Sequence, residues 1–117
     1  MNKELERAVG IAMSGKPRRF LLGALGRRTD GTFVVSTNGG QPNERTFSAH
    51  AEARIVRKLD DGSTIWVARV LKDGTVSMAR PCPRCHKLMS ARGIRTVFYT
   101  ISETEYGRID LWTSLNR

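Results

Sequence analysis

Near the start of the chain Leu5, Ala8, Val9, Ala12 and Met13 recur at i, i+3, i+4, i+7 and i+8, interleaved with Lys3, Glu4, Glu6 and Arg7. This period predicts an amphipathic helix over 3–14 that packs by one stripe. Ser14-Gly15 and then Pro17 supply its stop. Beyond it the pattern changes. Residues 20–25 and 32–37 are rich in β-formers and joined across Arg27-Arg28-Thr29-Asp30-Gly31, which predicts a hairpin. Asn38-Gly39-Gly40 then forms a loop needing positive φ. A second helix follows residues 41–47, with Ser48 placed to cap it. Ala53, Ile55, Val56 and Leu59 give it an apolar side, and Arg54, Arg57 and Lys58 a solvated one. Residues 64–71 read as a strand and Lys72-Asp73-Gly74 as a turn; 75–78 either pair back briefly or run on. Pro83 suits the first turn of a third helix, which carries Cys85, Leu88 and Met89 at helical spacing and stops at Gly93. Residues 95–101 read as a strand in the sheet interior. Residues 106–112 return as a fifth strand or start a short helix.

A chain of 117 residues with this alternation is expected to form one domain, 1–117, around a single layered core. The ending decides the topology. Too few residues separate the last two strands for a helical crossover, which takes about a dozen, so these strands are expected to run antiparallel. No apolar run approaches a membrane span, and MNKELERAVG lacks the apolar stretch of a signal peptide. A cytoplasmic, reducing compartment is the expectation. Charge adds one feature: 20 Lys and Arg against 11 Asp and Glu leave a net +9. This excess suits a polyanion, whether a nucleotide phosphate or a nucleic-acid backbone, and equally a solvated basic surface. The basic residues are scattered, with short clusters at Lys16-Pro17-Arg18-Arg19, Arg27-Arg28 and Arg57-Lys58.

The candidate chemistry lies in two segments, His50-Ala51-Glu52 and Pro81-Cys82-Pro83-Arg84-Cys85. An imidazole and two thiolates are three ligands for Zn²⁺, one short of a closed tetrahedron, and the open position is what a catalytic zinc keeps for water. Glu52 is spared from ligation and placed to move protons. Because i and i+2 do not share a helix face, His50 and Glu52 converge only on a point off the helix tip. Cys82 and Cys85 at the start of the third helix sit where the helix dipole favours thiolates. Two helix tips facing one another across a metal is the geometry expected. Two other readings stand beside it: a closed zinc site completed by His86, and a Cys82–Cys85 disulfide.

Together, H-x-E and P-C-x-x-C in this order resemble the signature of the zinc-dependent cytidine/deoxycytidylate deaminase superfamily. The resemblance spans most of the chain and implies a three-layer α/β/α sandwich with a mixed sheet of about five strands. It implies Zn²⁺ held by His50, Cys82 and Cys85, and hydrolytic deamination in which hydroxide on the metal attacks the base while Glu52 shuttles protons. It places Asn38, Ala51 and Phe47 at the substrate, although Asn38 reads equally as a turn residue and Phe47 as core. Subfamily cues conflict. His50 as first ligand resembles the deoxycytidylate and tRNA-adenosine branches, whereas the antiparallel ending resembles the cytidine branch. A free cytosine nucleoside or nucleotide is the expected substrate, with single-stranded DNA or RNA as the alternative and a homo-oligomer, dimer or tetramer, as the expected assembly. A different class of reading is a non-catalytic, zinc-stabilised nucleic-acid-binding module, in which Glu52 is dispensable.

Overall fold

The computed structural model describes residues 2–14, 20–38 and 51–112. Helix α1 (Lys3–Met13) opens on Asn2, whose side-chain oxygen accepts the Leu5 N–H at 2.8 Å and satisfies one orphan donor of the first turn. Its stripe buries Leu5, Ala8 and Ala12, but Met13 is 59% exposed. The helical pattern had placed Met13 on that stripe. At about 100° per residue it lies roughly 80° round from Leu5, on the stripe's margin. The helix closes on Ser14 in right-handed geometry; Gly15 and Pro17 lie outside the described residues.

Strands β1 (Phe20–Arg27) and β2 (Phe33–Thr37) form the expected hairpin. Asp30 accepts from the Thr32 N–H and hydroxyl at its turn, and Gly31 takes φ 91°. α2 (Ala51–Val56) buries Ala53, Ile55 and Val56, with Leu59 just beyond it, while Arg54, Arg57 and Lys58 are exposed. β3 (Thr64–Leu71) turns at residues 72–74 into β4 (Val76–Ser77), which pairs back on it antiparallel. α3 (Pro83–Arg92) begins at Pro83 and closes on Gly93, whose φ of 90° is the left-handed cap that a side chain disfavours. β5 (Thr96–Thr100) and β6 (Tyr106–Asp110) complete the sheet.

The strand order is β2-β1-β3-β5-β6, with β4 paired to β3 off this path. β3 and β5 are parallel, and α3 lies in the connection between them. β5 and β6 are antiparallel across residues 101–105, as the short connection required. The chain is therefore a mixed α/β sandwich. On one face α1 packs through Leu5 and Ala8 onto Leu25, Trp66 and Ala68. On the other, Ile55, Leu59 and Met89 from the α2–α3 side meet Ile65, Val67, Val97 and Tyr99. The two sets alternate along β3 because successive strand residues point to opposite faces. Gly23 lets α1 lie close: a Cβ there would sit 2.4 Å from the Ala8 carbonyl oxygen and from the Ala12 backbone nitrogen. No helix among the described residues is long and apolar enough to cross a membrane.

Candidate active site

α3 follows the β3–β4 hairpin, and the chain leading into it is tied to Thr100 at the carboxyl end of β5. Its N-terminus therefore lies at the carboxyl end of the parallel pair β3 and β5, where open α/β sheets place their ligands. Thr100 fixes the approach. Its hydroxyl donates to the Ser77 carbonyl at 2.8 Å, and its carbonyl accepts the Ala79 N–H at the same distance. Arg80 then lies over the Tyr99 ring at 5.9 Å, its guanidinium donating to the Tyr99 hydroxyl at 3.4 Å. Pro81 is buried. Cys82 is the N-cap of α3 with extended backbone, and its sulfur accepts the Cys85 N–H at 3.4 Å. Pro83 occupies the first helical position, where its missing N–H leaves nothing unsatisfied. Cys85 is fully buried, whereas Cys82 is half-buried. Both are free thiols, which sets the disulfide reading aside.

The second half of the site comes from α2, packed against α3. Ser36 ties β2 to this helix by donating its hydroxyl to the Ala51 carbonyl at 2.7 Å. Asn38, two residues on, is buried; it pairs with Leu22 through its backbone N–H (3.1 Å), and its side-chain oxygen accepts the Leu22 N–H (3.2 Å). Ala51 is fully buried and Glu52 is 5% exposed.

Glu52 and Cys85, distant in sequence, are electrostatically coupled. Burial first, then the Glu52 carboxylate and the adjoining Cys82, push the Cys85 thiol well above the ordinary thiol range, against a smaller opposing effect of Arg84. A buried carboxylate acting on a buried thiol disfavours a thiolate there unless a cation joins them. Thiolates are soft donors, and cation binding is what deprotonates them. This donor set therefore fits Zn²⁺. Among the described residues no group of three or more His, Cys, Asp or Glu side chains is drawn close enough to hold a metal by itself. The expected third ligand, His50, lies outside those residues, as does Phe47. His86 is half-buried in the first turn of α3, its backbone N–H donating to the Cys82 carbonyl.

Of the sequence-derived site residues, Asn38, Ala51, Glu52, Cys82 and Cys85 are all described; Glu52 acts electrostatically on Cys85, and Cys85 is hydrogen-bonded to Cys82. Sequence reasoning passed over the residues that position them, Ser36 and Thr100. Both are small hydroxyl residues buried in strands, and strand alternation was the signal that could have marked them as inward-facing.

No protein-family model matches the sequence, and no curated protein matches it. Solved structures do. A cytidine deaminase from Burkholderia pseudomallei superposes with a TM-score of 0.64 at 16% identity, over 95% of this chain and 94% of that one. A cytidine deaminase from Mycobacterium leprae gives 0.56 at 19% identity, over 92% and 89%. A mutant cytidine deaminase from Mycobacterium tuberculosis gives 0.54 at 22% identity, over 89% and 86%. Near-complete coverage in both directions, with the five-strand path, its antiparallel ending and the helix that opens at Cys82, establishes that this chain has the cytidine deaminase-like fold.

Proposed function

We propose that this protein is a zinc-dependent hydrolytic deaminase that converts cytosine to uracil in a free cytosine nucleoside or nucleotide. The observation that carries the reading is Glu52, a buried carboxylate from α2 acting on the buried Cys85 thiol at the N-terminus of α3. A structural carboxylate is rarely buried beside thiols. A carboxylate that exchanges protons with a reacting group, in contrast, has to be held against that group and out of bulk water. Likeness to proteins named cytidine deaminases supports the cytosine assignment.

His50, Cys82 and Cys85 would hold the metal. Zinc, when bound, would supply Lewis-acid polarisation of the attacking water. The remaining work falls to the chain. Glu52 takes a proton from the attacking water and delivers it to the ring nitrogen beside the attacked carbon. Oxygen bonds to that carbon; Glu52 then takes the remaining proton from this oxygen and passes it to the exocyclic amino group, and the carbon–nitrogen bond breaks to release ammonia as the carbonyl forms. Asn38, held at the end of β2 by Leu22, together with Ala51 and Phe47, orients the substrate. Packing of α2 on α3 keeps Glu52 and Cys85 out of bulk water, which strengthens the charge interaction between them. A homo-oligomer is the proposed assembly.

The test is ammonia release from cytidine, deoxycytidine, their monophosphates and a cytosine-containing single strand, with Glu52→Gln as the diagnostic variant. The amide keeps the size and hydrogen bonding of the carboxylate but cannot accept and return a proton. Turnover should fall by about 10⁴-fold, the upper end for general acid–base catalysis, while zinc content and substrate affinity persist. Near-normal turnover in Glu52→Gln would refute the mechanism, and exclusive activity on the single strand would refute the substrate assignment.

A further inference from the structure

On the α1 face of the sheet, away from Glu52 and the cysteines, lies a second feature. A groove of about 760 Å³ opens beside the N-terminus of α1, and four arginines line it: Arg27 at the end of β1, Arg28 in the hairpin turn, Arg95 just before β5 and Arg108 on β6. Its floor is aromatic. Trp66 and Phe98 are partners in the parallel β3–β5 register, and their rings stack at 5.9 Å with planes 9° apart. Each carries a guanidinium, Arg27 lying 5.5 Å over Trp66 and Arg108 5.7 Å over Phe98. Arg95 lies 5.6 Å over the Trp112 ring. Among the described residues the carboxylates beside these cations are Glu4, in the groove, Asp110, paired with Arg108 at 2.9 Å in an exposed ion pair, and Asp30, whose charge acts on Arg28. Four arginines against three carboxylates leave an excess of one positive charge.

We propose that this groove binds single-stranded nucleic acid, as a site separate from the deamination site. The charge selects an anion with several phosphates, because guanidinium forks carried on four separate elements exceed what one phosphate can engage. It agrees with the chain's net +9. The stacked layers select unpaired bases. A guanidinium plane resting on an aromatic ring presents a flat face on which a base stacks, and duplex bases are already stacked on one another. Arginine is the residue for both tasks, since lysine has neither plane nor fork.

Separation follows from the strands. Trp66 and Phe98 point to the α1 side, while their neighbours Val67, Val97 and Tyr99 point to the α2–α3 side. The groove lies where β3 and β5 begin, and Cys82 lies where they end. A strand seated in the groove therefore does not occupy the Glu52 site of the same molecule.

The experiment is fluorescence anisotropy of the full chain with a labelled thymine homopolymer of ~12 nucleotides, which has no exocyclic amine and so reports the groove whether or not the chain deaminates cytosine. Binding should weaken with salt over ~50–200 mM, and Arg27→Ala/Arg108→Ala should raise Kd about tenfold or more and reduce the log–log salt slope by about 1.4, two contacts at about 0.7 each. Arg27→Lys/Arg108→Lys guards against misfolding of the alanine pair: it should keep the slope but lose several-fold in affinity, because charge stays and stacking goes. Lys72→Ala/Lys87→Ala, away from the groove, should leave both nearly unchanged. Turnover of a free nucleoside should be the same in the groove variants as in the parent chain. The proposal is overturned by absence of binding, by equal losses from the lysine-site and arginine-site alanine pairs, or by equal affinity for a duplex. A change in self-association confined to the arginine variants would overturn it too, by making the face an interface between copies.

Discussion

Two glycine-to-alanine substitutions, thirteen residues apart in sequence, should act in opposite directions. In Gly23→Ala the new Cβ would meet the Ala8 carbonyl oxygen and the Ala12 nitrogen at 2.4 Å and the Ala12 Cα at 2.8 Å. Comfortable carbon contacts lie at about 3.5–4.0 Å, and these are backbone atoms of a helix that cannot swing aside. α1 must therefore lift locally by roughly 1 Å, loosening the contacts of Leu5 and Ala8 with Leu25, Trp66 and Ala68. Overpacking of this kind costs about 1–3 kcal/mol. Gly10 stands inside the same helix, exposed, with nothing within 4 Å of where its Cβ would be. Gly10→Ala should gain about 0.5–1 kcal/mol by removing unfolded-chain entropy. For a chain of this length one kcal/mol shifts Tm by roughly 3–6 °C, so thermal melts followed by circular dichroism should show Gly23→Ala lower by roughly 3–18 °C and Gly10→Ala higher by about 1.5–6 °C. A Tm for Gly23→Ala within about 1 °C of the parent would refute the close approach of α1 to β1.

Other consequences concern metal and pH. Cys82→Ala should abolish stoichiometric zinc and lower Tm together, and a chelator should lower Tm of the parent chain but not of this variant; retained zinc in the variant would contradict the ligand assignment. Asp60 has its carboxyl lowered to about 2 by hydrogen bonds from Ser63 and Thr29. Its folded pKa is below the unfolded value, so its contribution is present above pH ~4 and lost as pH falls toward ~2. Denaturant melts across that window should show a smaller loss of stability in Asp60→Asn than in the parent, and equal losses would refute the assignment.

The elements that sequence pattern identified are those set by short-range preference. Asp30-Gly31 closes the hairpin because its turn requires positive φ, which Gly31 supplies. Pro83 and Gly93 bound α3 because one has no N–H to lose and the other tolerates left-handed backbone. His50-Ala51-Glu52 and Pro81–Cys85 stood out as candidate chemistry, since metal coordination restricts which side chains can serve; of these, the structure describes the Glu52 and Cys85 side, and His50 lies outside the described residues. Tertiary structure decided the rest. That β1 runs between β2 and β3, that Ser36 braces Ala51, and that Glu52 reaches Cys85 across two helices depend on contacts between residues far apart in sequence. The exposure of Met13 was decided the same way, by where the sheet offers α1 a surface to cover. So was the arginine groove. Arg27, Trp66, Phe98 and Arg108 come from four different strands, and no local pattern joins them. They share a face because the β1–β3, β3–β5 and β5–β6 registers line up alternate residues across the sheet, and register is set by the burial of whole strands rather than by any one turn.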